Sequence, residues 1–242
     1  MKEWVYESRR DFQLILPFLY LGPFTAAKNV AALAKAGITM VLVIRDTRSA
    51  QSGFLSGKKA AETLGIPHAA IDVNGNAELI NFGFARATRL INEHLLMKFR
   101  ELAPPDTPRD KAPGAWGKVL VFCESGNERS AAVIVAYLMA MYGVDVIGGI
   151  QYVQTQRFCI AFDDNLKSLL LNYQEILEAR RGVLGTQDSN LPSGNPARPA
   201  LIKRPIDEVD KEDYDMLSGE GDPDDAARFE SRKPFAPFYD DE

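Results

Sequence analysis

Short apolar runs and amphipathic stretches alternate along the first 181 residues, with turn-forming residues between them. "LILPFLYLG" (residues 14–22) reads as a strand pair or hairpin interrupted by Pro17. "VAALAKAG" (30–37) has the spacing of a short helix closed by a C-terminal glycine. "ITMVLVIR" (38–45) is apolar and β-branched nearly throughout, as suits a strand buried on both faces. The helix-then-glycine pattern recurs in "KKAAETLG" (58–65), and "IPHAAIDV" (66–73) is the next strand. Leu79, Phe82, Ala85, Leu90 and Ile91 fall at helical spacing and predict one long helix over 78–102.

The pattern then breaks. Residues 103–117, "APPDTPRDKAPGAWG", hold four prolines and predict an inserted loop. "KVLVFC" (118–123) reads as a strand, and residues 130–142 as a helix ended by Gly143. Asp145 is the expected N-cap of another helix, and Asp163 or Asp164 of a last one reaching about Arg181. Strands alternating with helices imply an α/β fold: a central, mostly parallel sheet of about five strands flanked by helices. Residues 1–181 form the predicted domain. Residues 182–242, rich in Pro, Gly, Asp and Glu, are expected to be a disordered acidic tail.

Charge supports that division. The net charge is −5, but residues 182–242 hold 15 acidic against 7 basic residues, so the body is mildly basic. Neither part is extreme enough to argue for nucleic acid binding. No apolar run approaches the ~20 residues of a membrane span, and the polar start "MKEWVYESRRDFQ" does not read as a signal peptide. With two cysteines, Cys123 and Cys159, a disulfide framework is not expected and a reducing compartment fits better. His68 and His94 lie far from both in sequence, show no metal-ligand spacing and read as structural; no cofactor is expected. Cys159, flanked by apolar residues, reads as a packed core thiol, with a redox pairing to Cys123 as the sharper alternative.

The candidate chemistry lies where the apolar run ends at a cysteine: "FCESGNERS" (122–130). A strand, a turn and a helix in succession aim backbone N–H groups at one point, which makes an anion site. Gly126 permits a tight turn, Arg129 offers a fork to phosphate oxygens, and Ser130 places a hydroxyl near Cys123. A thiol at a helix N-terminus sits in a field that favours the nucleophilic thiolate. The competing account is a buried strand-end cysteine and an arginine paired with Glu124 or Glu128.

"CESGNERS" resembles the C-x-x-G-x-x-R-S loop of dual-specificity protein phosphatases. The segments "EWVYESRRDFQLILPFLYLGP", "GITMVLVIR", "AYLMAMYG" and "YVQTQRFCIAFDDN" narrow the resemblance to the serine/threonine/tyrosine-interacting pseudophosphatase branch, over roughly residues 3–180. The resemblance implies a phosphatase-like fold with Cys123, Glu124, Ser125, Gly126, Asn127, Glu128, Arg129 and Ser130 forming the phosphate loop. Cys123 would be a vestigial or weak nucleophile. The expected function is binding of phosphorylated protein segments or signalling partners without efficient turnover. By the same resemblance, mitogen-activated protein kinases or F-box proteins are expected partners, in cytoplasm and nucleus, and the chain is expected to be a monomer.

Active relatives also need a histidine before the cysteine and an aspartate general acid on another loop. Here Phe122 stands at the histidine position and Gly75 at the acid position, with Asp72 and Glu78 three residues to either side. A missing general acid costs on the order of 10² to 10⁴ in rate. Glu124 and Glu128 add unfavourable fields, each roughly 2–3 kcal/mol at about 6 Å before salt screening, even if their side chains point outward. Unlike the branch's usual pattern, the loop cysteine is retained. Inactivity would then follow from Phe122, Gly75 and the two glutamates, and a weakly active cysteine-dependent phosphatase or a scaffold without phosphate binding remain as alternatives.

Overall fold

The computed structural model describes residues 4–103 and 116–187. Most of the predicted 103–117 insertion, and residues 188–242 of the predicted tail, lie outside the described residues.

Five strands form one sheet in the order β1 (Gln13–Leu16), β2 (Leu19–Pro23), β5 (Val119–Cys123), β3 (Met40–Asp46) and β4 (His68–Val73). Only β1 and β2 pair antiparallel; β2, β5, β3 and β4 run parallel. The tight β1–β2 connection falls at Pro17 and Phe18, as the interrupted apolar run predicts. β3 and β5 are buried on both faces, which explains their near-continuous apolar sequences.

Alternation along those strands divides the core. Leu42, Ile44, Val119 and Val121 belong to the larger cluster, built with α5 (Phe84–Leu102), α6 (Arg129–Tyr142), α7 (Val146–Gln156) and α8 (Asp164–Gln187). Val41, Val43, Leu120 and Phe122 belong to a smaller cluster with residues of α2 (Val30–Ala36) and α4 (Lys58–Leu64). Two one-turn helices, α1 (Phe24–Ala27) and α3 (Thr47–Gln51), begin at the C-terminal ends of β2 and β3. They are too short to show a helical period, and the sequence pattern does not reveal them.

Helix caps follow the predicted chemistry. Asp145 Oδ1 accepts from Gly148 N–H at 2.7 Å, and Asp163 Oδ1 from Leu166 N–H at 2.7 Å. Gly37 closes α2 in the left-handed conformation. Two boundaries need correction. The helix predicted over 78–102 is a π-helical segment, Leu79–Gly83, followed by α5. In a continuous α-helix Leu79 and Phe84 would diverge by about 140°; the wider turn lets both be fully buried. The last helix continues to Gln187 rather than ending near Arg181.

Both histidines are structural, as expected. Buried His94 shares a hydrogen bond of 2.8 Å between Nε2 and Thr39 Oγ1, and half-buried His68 bonds the Ser56 carbonyl through Nε2. Burial lowers both pKa values from the ordinary 6.5. Between the lowered folded value and 6.5 the unfolded chain binds more protons, so stability rises with pH through that window. The expected result is a falling unfolding midpoint as pH drops below about 6.5, with a smaller fall in His94→Gln. Denaturation curves at several pH values check it; identical pH profiles for the two proteins would refute the assignment to His94.

Candidate phosphate-binding site

Central β5 carries Cys123 to the C-terminal edge of the sheet, and residues 124–128 turn the chain into α6. Such edges are the usual ligand sites of open α/β sheets. Cys123 is buried; its Sγ accepts from Gly126 N–H at 3.2 Å and from the Ser130 hydroxyl at 3.0 Å. Gly126 has φ of +73°, and a Cβ there would lie 2.4 Å from the Gly22 carbonyl carbon, so the turn requires glycine. The Glu124 and Glu128 side chains are exposed, so both point away from the cradle as expected; Ser125 is exposed and Asn127 half-buried.

The loop's outer rim is tied down from several directions. Phe24 N–H donates to the Glu124 carbonyl at 3.2 Å, and Ala161 N–H to the Asn127 carbonyl at 3.0 Å. Beneath them lies Arg157, the largest fully buried side chain among the described residues. Its Nε donates to the Gly126 carbonyl at 3.0 Å, and its Nη2 to the Ser125 carbonyl at 3.1 Å. Nε and Nη2 both reach Asn127 Oδ1, at 3.1 and 2.9 Å. Remaining donors bond the Arg9 and Asp11 carbonyls, each at 2.9 Å, and Gln13 Oε1. The Gly126 N–H, on the same peptide as the Ser125 carbonyl, faces the other way, to Cys123 Sγ, while the Asn127 N–H is held by Ser125 Oγ at 3.1 Å. Burial lowers the Arg157 pKa, while Cys159, Cys123 and Asp11 act against that shift.

Arg129 does not pair with either loop glutamate. Its Nε donates to Asn76 Oδ1 at 3.3 Å, and its Nη2 lies 3.7 Å from Asp46 Oδ2. The account of an arginine neutralised by Glu124 or Glu128 is therefore wrong: the partners are Asp46, at the end of β3, and Asn76, in the turn after β4. This contact also brings the 74–78 turn to the cradle. Gly75, beside Asn76, has no atom within 4 Å of where a Cβ would be.

Both carboxylates that flank Gly75 are engaged with other groups. Asp72 holds Arg45 through two contacts, 2.7 and 3.5 Å. Glu78 accepts from Asn74 N–H at 2.8 Å and Asn74 Nδ2 at 3.1 Å, closing its own turn. Phe122 is fully buried, stacked on Phe24 with centroids 6.3 Å apart, and belongs to the smaller core cluster. It makes no polar contact with Cys123. Cys159 departs from expectation: it is half-buried and its thiol donates to Asn127 Oδ1 at 3.2 Å, so it supports the loop rather than filling the core. Both cysteines are free. Among the described residues no group of His, Cys, Asp or Glu could hold a metal ion.

The family model for the dual specificity phosphatase catalytic domain matches residues 110–176. Human serine/threonine/tyrosine-interacting protein is 31% identical over 183 residues, covering 74% of this chain and 71% of its own length. The chain belongs to the serine/threonine/tyrosine-interacting branch of the dual-specificity phosphatases. Its Xenopus laevis relative, serine/threonine/tyrosine-interacting protein B, is 29% identical over 87% of this chain and 86% of its own. The crystal structure of the human tyrosine phosphatase-like protein of this name superimposes with a TM-score of 0.52 at 28% identity, over 69% of this chain and 97% of that one. A leucine-rich-repeat and phosphatase domain protein from Entamoeba histolytica, 17% identical, shares the fold at TM-score 0.51 over 71% of this chain and 96% of that one.

Within this branch, the residues that sequence reading missed are Arg157, Asp46 and Asn76. Arg157 lies in "YVQTQRFCI", the stretch most characteristic of the resemblance, yet nothing in its spacing says that it is buried. Asp46 follows the apolar run of β3 and caps α3 in the structure, accepting from Arg48 N–H at 2.9 Å, but the sequence pattern does not reveal that helix and so gives no signal for it.

Proposed function

We propose that this chain is a pseudophosphatase that holds phosphorylated protein segments in the 123–130 loop without efficient turnover, as a regulator or anchor in kinase signalling or ubiquitin-ligase pathways. One observation carries the reading. The turn that reaches Arg129 through Asn76 carries Gly75, at the position where the resemblance puts the general acid, and both adjacent carboxylates are engaged elsewhere. Binding needs only the loop amides and Arg129; protonating a leaving oxygen needs an acid, and Asp72 and Glu78 are both held by other groups. By resemblance, mitogen-activated protein kinases and F-box proteins are the partner classes to try first, and cytoplasm and nucleus the places to look.

A weakly active phosphatase is the second reading, favoured by the retained Cys123 with two hydrogen bonds to its sulfur. The two separate on an activated aryl phosphate, whose leaving group barely needs an acid. Under the first reading turnover is negligible and equal in wild type and Cys123→Ser. Cys123-dependent turnover with a burst favours the second.

Phosphopeptide affinity tests the binding itself. Arg129→Ala and Arg129→Lys are each expected to weaken binding at least tenfold, the lysine included because it cannot reproduce the planar fork. Asp46→Asn is expected to tighten it severalfold, since the guanidinium no longer has to be shared with a carboxylate. Equal affinity for phosphorylated and unphosphorylated peptides would sink the proposal and leave a scaffold that acts through other surfaces.

A further inference from the structure

A second concavity lies beside the phosphate loop. Phe24, Val30, Phe54 and Leu55 line an open cavity of about 520 Å³, with Lys28 and Lys59 in its wall. That volume is within the roughly 300–1,000 Å³ of ligand pockets. Three features mark it as built. Gly53, Leu55 and Gly57 all have positive φ, of 70°, 55° and 65°, so the 53–57 segment curls back on itself, with a leucine held in a conformation that non-glycine residues rarely adopt. Arg45 Nη1, at 3.5 Å from the Leu55 carbonyl, and His68, on the Ser56 carbonyl, tie the curl to the sheet. Finally, the floor is braced by Phe122, the residue that leaves the phosphate loop without its histidine. Phe122 stacks on Phe24, and a Cβ on Gly57 would lie 2.7 Å from its ring.

The wall chemistry selects an occupant. Phe54 is 57% exposed and packs on Phe24 with centroids 5.9 Å apart, so a large apolar surface stays open to a partner. Lys28 Nζ sits 4.1 Å over the Phe24 ring. Among the described residues no carboxylate lines the cavity, although the chain as a whole is acidic. Lysines flanking an apolar slot complement an apolar side chain with a carboxylate beside it.

We propose that this cavity docks a linear segment of a partner protein in which an aromatic or large aliphatic side chain stands next to Asp or Glu. This docking does not use phosphate. Phe24 joins the two sites physically, lining the cavity with its ring and holding the Glu124 carbonyl with its N–H, so a partner engaging both would gain by effective concentration.

Panning a library of random dodecapeptides on the whole chain tests the idea. The expected result is enrichment of peptides with an aromatic or large aliphatic residue beside an acidic one. A synthetic peptide of that consensus should bind wild type and Arg129→Ala equally. It should bind at least tenfold more weakly to Phe54→Ser, which changes an exposed side chain, and to Lys59→Glu. Enrichment without acidic residues, affinity unaffected by Phe54→Ser and Lys59→Glu, or affinity lost in Arg129→Ala would overturn the proposal. So would a dimer that Phe54→Ser dissolves, since a second copy would then own the cavity, or saturable binding of laurate with no peptide enriched. The Arg129 arm separates this proposal from the phosphate-binding one, because either can fail while the other stands.

Discussion

Arg157→Met is expected to lower stability by roughly 3–5 kcal/mol and to abolish phosphopeptide binding in whatever fraction stays folded. Methionine keeps much of the apolar stem but removes every donor. The carbonyls of Arg9, Asp11, Ser125 and Gly126 and the side-chain oxygens of Gln13 and Asn127 then lose their common partner. Each buried acceptor left bare costs about 1–3 kcal/mol, reduced where the loop can relax toward water. Arg157→Lys is expected to recover little, because one ammonium with three donors cannot serve six acceptors spread around a plane. Denaturant unfolding and phosphopeptide titration of the three proteins check this. A loss below about 1 kcal/mol would mean that Gly126 and the start of α6 set the loop's shape by themselves.

Arg157 also shows where sequence reading stops. The strands and the longer helices were legible because their signals are local: continuous β-branched runs for β3 and β5, glycines after α2, α4 and α6, aspartates before α7 and α8. The strand–turn–helix that carries the candidate site was legible for the same reason, since Cys123, Gly126, Arg129 and Ser130 occupy one turn and its flanks. What stayed hidden depends on residues distant in sequence. Arg157 reaches back to Arg9, Asp11 and Gln13, nearly 150 positions away. Arg129 chooses Asp46 and Asn76 over glutamates one and five residues away, because the cradle turns those side chains outward while β3 and β4 end beside it. Cys159 was misread because its apolar neighbours suggested core, whereas the turn after α7 delivers its thiol to Asn127. The π-helical Leu79–Gly83 segment was invisible because its neighbours satisfy helical spacing well enough to suggest one unbroken helix.

On the weakly active reading, Gly75→Asp is expected to raise Cys123-dependent hydrolysis of phosphopeptides by about 10²-fold or more, while barely changing the rate on an activated aryl phosphate. The space for the new carboxyl exists, since nothing lies within 4 Å of the Cβ position, and the adjacent Asn76 already touches Arg129. Restoring the histidine is a poor companion change. Phe122 is fully buried against Phe24 and Gly57, and an imidazole there would carry polar nitrogens into an apolar cluster at a cost of about 1–3 kcal/mol. The charge balance argues for a different partner substitution. A new aspartate adds a carboxylate beside a cradle already flanked by Asp46, Glu124 and Glu128, so KM should rise together with kcat in the single variant. Adding Asp46→Asn removes one of those charges and frees the guanidinium, and the double variant is expected to keep the gain in kcat with KM near wild type. Steady-state kinetics on a phosphopeptide, with Cys123→Ser in each background, decide the matter. No gain in either variant would mean that the 74–78 turn cannot deliver a proton to the cradle, so that a low rate would trace to the path of the turn and to Phe122 rather than to one missing carboxyl.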